Sequence, residues 1–85
     1  MLELRPNCEC CDRDLALDDP NVFICTMECT WCGDCARDLA DTCPNCGGGL
    51  TPRPIRPASW LARYPASTTR VFAPDCRERL TASRA

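Results

Sequence analysis

Residues 8–46 read CECCDRDLALDDPNVFICTMECTWCGDCARDLADTCPNC and hold nine of the chain's ten cysteines. Eight of the nine form four pairs, in which two or three residues separate the partners. The pairs are Cys8 with Cys11, Cys25 with Cys29, Cys32 with Cys35, and Cys43 with Cys46. Two residues between thiolates let the backbone curl around one ion, and two such knuckles supply the four sulfurs of a tetrahedral zinc site. The spacing therefore predicts two Zn²⁺ per chain.

The spacing leaves open which pairs share an ion. Sequential pairing would give one site made of Cys8, Cys11, Cys25 and Cys29, and a second made of Cys32, Cys35, Cys43 and Cys46. Interleaved pairing would give one site made of Cys8, Cys11, Cys32 and Cys35, and a second made of Cys25, Cys29, Cys43 and Cys46. We favour interleaved pairing, because the uneven spacing of Cys25 and Cys29 suits a hairpin that spans both sites better than a self-contained knuckle.

The order of the cysteines, ending in Cys-Pro-x-Cys, resembles the RING finger signature, with cysteine where most RING domains have histidine. The segments MLELRPNCECC, CPNCGG and RPIRP, at residues 1–11, 43–48 and 53–57, resemble a family of short bacterial cysteine-rich proteins known only as a domain of unknown function. The first resemblance implies a RING-like cross-brace, in which the pairs interleave. The second covers residues 1–72 and implies no activity.

The expected fold class is a small metal-stabilised α+β domain with one short hairpin and one or two short helices. The β-branched and aromatic triplet Val22-Phe23-Ile24 predicts the first strand of the hairpin, which turns at residues 26–28. Asp34 is the predicted N-cap of a short helix over residues 35–40, whose Leu39 faces the core. The RING-like two-zinc domain is predicted to cover residues 1–50.

Residues 51–85 are predicted to form a proline- and arginine-rich extension that docks on this domain, with the last residues disordered. Three prolines in residues 51–57 favour extended chain and exclude a central strand. Trp60, Leu61 and Tyr64 follow at helical spacing. We expect these three side chains to pack on the cysteine core.

Eighty-five residues are enough for one domain, and at that size an apolar core alone is marginal. Binding of structural zinc contributes about 10–16 kcal/mol in small peptides, so folding is expected to depend on metal. The first residues contain no apolar stretch typical of a secretory signal, which favours a cytoplasmic protein with reduced thiols over a disulfide framework. Cys10 and Cys76 are left over and are expected to be small buried residues or ordinary surface thiols, with redox activity as the alternative. Cys10 is also an alternative ligand to Cys8 or Cys11.

Charge is distributed unevenly along the chain. Residues 1–46 contain ten acidic residues and three arginines, whereas residues 47–85 contain two acidic residues and seven arginines. We expect the arginine-rich tail to fold back on the acidic metal core. A chain with no lysine, a net charge of −2 and no basic-aromatic repeat is not typical of nucleic-acid binding, and no segment is apolar enough to span a membrane. The expected partner is another protein, and the oligomeric state is open.

Catalysis is not expected, because the chain has no histidine and a zinc ion held by four thiolates has no open position for water. The predicted function is a zinc-binding protein-interaction module in which zinc is structural. Its binding groove is predicted between the first two loops, lined by Leu15, Leu17, Met27 and Trp31.

Three other functions are weighed against this prediction. The main alternative is a redox- or metal-responsive thiol switch, in which oxidation releases zinc. An iron–sulfur electron carrier is suggested by Cys29, Cys32 and Cys35, although the gap before Cys43 departs from the ferredoxin spacing. Ubiquitin-ligase activity follows from the RING resemblance alone. Glu9 and Gly47 depart from the residues that ligases use to contact the conjugating enzyme.

Overall fold

The computed structural model describes residues 2–76, so the predicted disordered C-terminal residues lie outside the described part. It contains three short strands and two short helices. In chain order these are β1 (Val22–Ile24), β2 (Thr30–Cys32), α1 (Gly33–Asp38), β3 (Thr51–Pro52) and α2 (Ala58–Leu61). Within residues 2–76, neither helix has the length and apolar character that crossing a membrane requires.

The three strands form one antiparallel sheet in the order β2-β1-β3. The predicted hairpin is confirmed: β1 pairs with β2, and Phe23 lies opposite Trp31. Strand β3 was not predicted, because two residues are too few to show an alternating pattern. Pro52 has no N–H to donate, which restricts β3 to the edge of the sheet.

Helix α1 begins directly after β2, and the predicted N-cap at Asp34 is wrong. The cap is Cys32, whose sulfur accepts a hydrogen bond from the backbone N–H of Cys35 at 3.4 Å. The first orphan N–H groups of a helix need an acceptor, and here a sulfur takes the place of the usual side-chain oxygen. Leu39 is the C-cap and packs partly buried against the core, as predicted.

The apolar core is small and is built around Trp31, whose side chain is fully buried. Val22 and Leu15 pack in the same cluster as the buried cysteines. The predicted binding groove is therefore wrong in two of its four residues, because Leu15 and Trp31 are interior side chains. Met27, by contrast, is 67% exposed. Few large apolar residues are buried, and Trp31 is the largest of the fully buried side chains.

The first residues of the extension are fastened to the N-terminal segment by two arginines. Arg53 is buried and donates to the carbonyl of Arg5 at 2.9 Å, and burial lowers the pKa of its guanidinium. Arg56 donates to the carbonyl of Leu2 at 2.9 Å. These two tail arginines bind backbone oxygens, where the charge pattern led us to expect carboxylates.

Residues 67–76, which we call the C-terminal strap, run parallel to residues 4–10. Backbone N–H groups of the strap donate to the N-terminal segment at both ends, from Ser67 to the carbonyl of Leu4 at 3.0 Å and from Ala73 to that of Glu9 at 2.8 Å. Between these bonds, the side chain of Asn7 donates to the carbonyl of Val71 at 3.0 Å. The strap therefore covers the first cysteine knuckle.

One arginine of the strap forms ion pairs with acidic residues of the N-terminal region, as the charge pattern predicted. Arg70 forms ion pairs with Asp14 at 2.6 Å and with Asp12 at 2.9 Å, and these carboxylates raise the pKa of its guanidinium. All three side chains are substantially exposed, so the pairs stabilise the strap only modestly. The expected return of the basic tail to the acidic region is thus seen at Arg70.

Cys10 and Cys76 are joined by a disulfide, with their Cα atoms 5.1 Å apart. The expectation that both stay reduced as ordinary thiols is therefore wrong. The pairing was hidden in the sequence because 66 positions separate the two cysteines, and only the parallel strap brings them together. Both are 2% exposed, so the bridge lies inside the molecule and closes the strap over the first knuckle.

The predicted packing of Trp60 on the cysteine core is also wrong. Its side chain is 52% exposed, and α2 contains no buried residue. Leu61 and Tyr64 are partly buried. The tail is held by backbone hydrogen bonds, by the hydrogen bonds of Arg53 and Arg56 to the N-terminal segment, and by the disulfide. Packing of the Trp60 indole is therefore not required to hold it.

We predict that the double substitution Cys10→Ser and Cys76→Ser lowers the free energy of unfolding by about 2–4 kcal/mol, because a cross-link across so long a loop restricts the unfolded chain. Urea titration of the metal-loaded protein measures this change. Wild-type protein treated with reductant is the matched control and should unfold at the midpoint of the double variant. Equal midpoints for the variant and the oxidised wild type would contradict the stabilising role.

Candidate metal centres

The first cysteine cluster combines the first knuckle with the junction of β2 and α1. Its sulfur atoms all lie within 4.8 Å of one another and belong to Cys8, Cys11, Cys32 and Cys35. Cys11 is partly buried and the other three are buried. Four convergent sulfurs at these separations could hold one metal ion.

Backbone hydrogen bonds bring the two halves of this cluster together. The first knuckle is closed by the N–H of Asp12 donating to the carbonyl of Cys8 at 2.9 Å, with Asp12 in the left-handed region at φ 62°. The N–H of Glu9 donates to the carbonyl of Thr30 at 2.9 Å, which ties the knuckle to β2. Cys32 ends β2 and Cys35 lies in the first turn of α1, so the same strand positions both remaining sulfurs.

Two thiols of this cluster are coupled by a side-chain hydrogen bond, which joins Cys8 and Cys35. A side-chain hydrogen bond with Cys35 lowers the pKa of Cys8 to about 4, although burial acts in the opposite direction. The same hydrogen bond, followed by burial, raises the pKa of Cys35. The thiolate is the form that binds metal. Binding of a metal ion at this cluster would therefore displace the protons that remain on its thiols.

The second cluster lies between the hairpin turn and the last knuckle. Sulfur atoms of Cys25, Cys43 and Cys46 lie within 4.8 Å of one another, and Cys46 is exposed. Cys29, the predicted fourth member, is outside this tight group but adjacent to it, because the N–H of Cys25 donates to its carbonyl at 3.2 Å. This centre could hold a metal ion and is both looser and more exposed than the first.

Backbone N–H groups point at the sulfurs of the second cluster. Met27 donates to the sulfur of Cys25 at 3.3 Å, and Gly48 donates to the sulfur of Cys46 at 3.4 Å. The positive φ of Gly47, 76°, turns the chain after Cys46. Burial acts to raise the pKa of Cys25, but backbone hydrogen bonds from Cys29 and Met27, together with side-chain hydrogen bonds from Cys29 and Cys43, outweigh burial and lower that pKa.

Asn45 links the second cluster to the first knuckle. Its side-chain amide donates to the sulfur of Cys29 at 3.4 Å and to the carboxylate of Glu9 at 2.8 Å. Burial raises the pKa of the Cys29 thiol, and the hydrogen bond from Asn45 opposes that rise. Burial likewise raises the pKa of Cys43 to about 12. The sequence did not identify Glu9 and Asn45 as a pair, because nothing in their spacing indicates that the two knuckles are neighbours.

The sulfurs are grouped in the interleaved order. Cys8 and Cys11 lie with Cys32 and Cys35, and the pair that separates them in the sequence, Cys25 and Cys29, lies toward the last knuckle. Cys11 and Cys32 illustrate this, with sulfurs 3.8 Å apart across 21 positions. Cys10 lies within the first knuckle but belongs to neither cluster, since its sulfur is committed to the disulfide.

Comparison with known proteins bears out the resemblance of the N-terminal segments. Residues 1–56 match the family described as "Protein of unknown function (DUF1272)". The chain is also similar to "Uncharacterized protein R02474" of Rhizobium meliloti (strain 1021), with 64% identity over 76 residues, which are 88% of this chain and 90% of that protein. No solved structure matches. This cysteine-rich chain therefore belongs to the family of proteins of unknown function numbered DUF1272.

Proposed function

We propose that this chain is a zinc-binding module that recognises another protein, with two Zn²⁺ that stabilise a RING-like cross-brace. The observation that carries the proposal is the interleaved grouping of the paired cysteines into two sulfur clusters. Sulfur ligands of this kind select soft or borderline metals, and a tetrahedral set of four thiolates is typical of structural zinc.

The composition of the interior supports a structural role for the metal. Thirteen buried apolar residues lie within residues 2–76, and seven of them are cysteines. Only Trp31 among the remaining six is large and aromatic. A core of that size does not offset the conformational entropy of the chain, whereas zinc binding adds free energy that is available only to the folded state.

A binding role is favoured over catalysis because each centre is composed of protein sulfurs. Four thiolates complete a tetrahedral shell and leave no position for a water or a substrate. Exposed apolar side chains suit a surface that meets a macromolecule. Those within residues 2–76 that are large and at least 47% exposed are Met27, Ile55, Trp60 and Phe72.

We predict that elemental analysis of the purified chain finds two zinc ions per molecule. Serine at any of the eight paired cysteines should remove at least one ion, because a missing thiolate opens the tetrahedral shell. The eight positions are Cys8, Cys11, Cys25, Cys29, Cys32, Cys35, Cys43 and Cys46.

The double variant Cys10→Ser/Cys76→Ser is the matched control and should retain both ions. Loss of zinc from this control would show that Cys10 serves as a ligand in place of Cys8 or Cys11. A wild-type content of one ion, or of iron with visible absorption, would contradict the proposal.

We further predict that a chelator removes zinc from the second centre first. Cys46 is exposed and Cys29 lies outside the tight sulfur group, so water and chelator reach this ion more easily. Asn45→Asp should accelerate the loss at least several-fold, because it replaces a donor to the sulfur of Cys29 with a negative charge.

Release kinetics followed with a colorimetric zinc indicator measure this difference. Asn21→Asp is the control, since Asn21 is exposed and its side chain makes no hydrogen bond to a cysteine within residues 2–76. A single release phase, unaffected by Asn45→Asp, would contradict the inequality of the two centres.

A redox-responsive switch is a second candidate function, and the Cys10–Cys76 disulfide favours it. The bridge fastens the strap across the first knuckle, so reduction would loosen the cover of a neighbouring metal centre. Faster loss of zinc to a chelator after reduction of the Cys10–Cys76 bridge, slowed again by reoxidation, would support the switch. Retention of both ions through cycles of oxidation and reduction would contradict the switch and would favour a purely structural role for zinc.

A further inference from the structure

A groove on the C-terminal extension lies outside both metal centres. Its volume is about 420 Å³, and it is lined by Arg56, Pro57, Trp60 and Tyr64. The rings of Trp60 and Tyr64 are stacked, with centroids 5.7 Å apart and planes inclined by 19°. We call this surface the Trp60 groove. It presents one aromatic pair and one proline ring to solvent.

The Trp60 groove is held in shape before anything binds. Helix α2 starts after Pro57, and the N–H of Tyr64 donates to the carbonyl of Trp60 at 2.8 Å. Arg56 clamps the turn, because one guanidinium nitrogen donates to the carbonyl of Tyr64 at 2.6 Å and another to that of Leu2 at 2.9 Å. A ligand therefore does not have to order the groove on binding.

The groove carries positive charge that the described part of the chain does not neutralise. Arg5, Arg13 and Arg70 form ion pairs with carboxylates. Arg56 and Arg63 form none with any acidic residue of positions 2–76, and Arg63 lines a smaller pocket together with Ser59 and Trp60. The exposed indole thus lines one pocket with Arg56 and another with Arg63, and complementary charge on a ligand is negative.

The shape and chemistry of the groove fit an extended chain better than a helix or a strand. Grooves lined with aromatic rings bind polyproline-type segments, whose rings pack on the aromatic faces and whose backbone is already extended. Pro57 at the groove has no N–H with which to pair an added strand. A second copy of this chain is a poor ligand, because its own proline segment at residues 51–57 carries two arginines.

We propose that the Trp60 groove binds an acidic, proline-containing extended segment of a partner protein. This inference rests on the proposed function, since it names the surface and the chemistry of the partner that such a module would recognise. Trp60 supplies the apolar contact, Arg63 pairs with an acidic side chain, and Arg56 holds the groove open while contributing its charge.

The test is selection of random twelve-residue peptides displayed on phage against the zinc-loaded full chain, with depletion on Trp60→Ala. The expected result is enrichment of peptides that contain proline together with aspartate or glutamate. Enrichment of basic peptides, of helix-forming apolar peptides, or of none would overturn the proposal.

The most enriched peptide is then synthesised with a fluorescent label, and binding is measured by anisotropy. Trp60→Ala and Arg63→Glu should each weaken binding at least tenfold. Arg37→Glu should change it less than twofold, because Arg37 is exposed on α1 and does not line the groove. Equal affinity for all variants would overturn the proposal, as would displacement of the peptide by a twelve-nucleotide single-stranded DNA, which would identify a nucleic-acid site.

Zinc content and melting temperature of each variant separate this inference from the one on which it rests. Absence of zinc from the wild-type chain would contradict the proposed function. If the chain contains two zinc ions and the variants melt at the wild-type temperature, but no acidic proline peptide is selected, only the partner assignment is contradicted.

Discussion

The convergence of distant cysteines into two interleaved sulfur clusters is the constraint on which the rest of this structure depends. The first cluster joins the N-terminal knuckle to the end of β2, and the second joins the start of the hairpin turn to the last knuckle. Each cluster therefore brings together segments that are distant in the sequence. Three strands of two or three residues and two helices of six and four residues are too short to be stable on their own, and metal ions bound at the clusters would supply the missing cross-links.

A network of hydrogen bonds to sulfur and between knuckles connects the two clusters. The sulfur of Cys32 is both a member of the first cluster and the cap of α1, so helix and cluster form together. Asn45 contacts Cys29 at one cluster and Glu9 in the knuckle of the other. A structural change at either centre would consequently alter the hydrogen bonds of Asn45 and so affect the other centre. The strap and its disulfide close the same knuckle from the outside.

Local features of this fold could be predicted from the sequence, and features set by long-range packing could not. The β-branched and aromatic triplet at residues 22–24 indicated the hairpin, and the helix expected over residues 35–40 overlaps α1. Burial of the two tryptophans was predicted the wrong way round, because Trp31 was expected to line a binding groove and Trp60 was expected to pack on the cysteine core. Trp31 lies opposite Phe23 in the hairpin and is fully buried, whereas Trp60 is 52% exposed. The disulfide escaped prediction because the strap that aligns its cysteines has no sequence signature.

The most direct test of the account is ¹¹³Cd NMR of the chain with cadmium in place of zinc, correlating each metal signal with the β protons of the cysteines that bind it. The account predicts two cadmium signals. One should correlate with Cys8, Cys11, Cys32 and Cys35, and the other with Cys25, Cys29, Cys43 and Cys46. A signal that correlates with both the Cys8–Cys11 and the Cys25–Cys29 pairs, or one that correlates with Cys10, would contradict the interleaved arrangement.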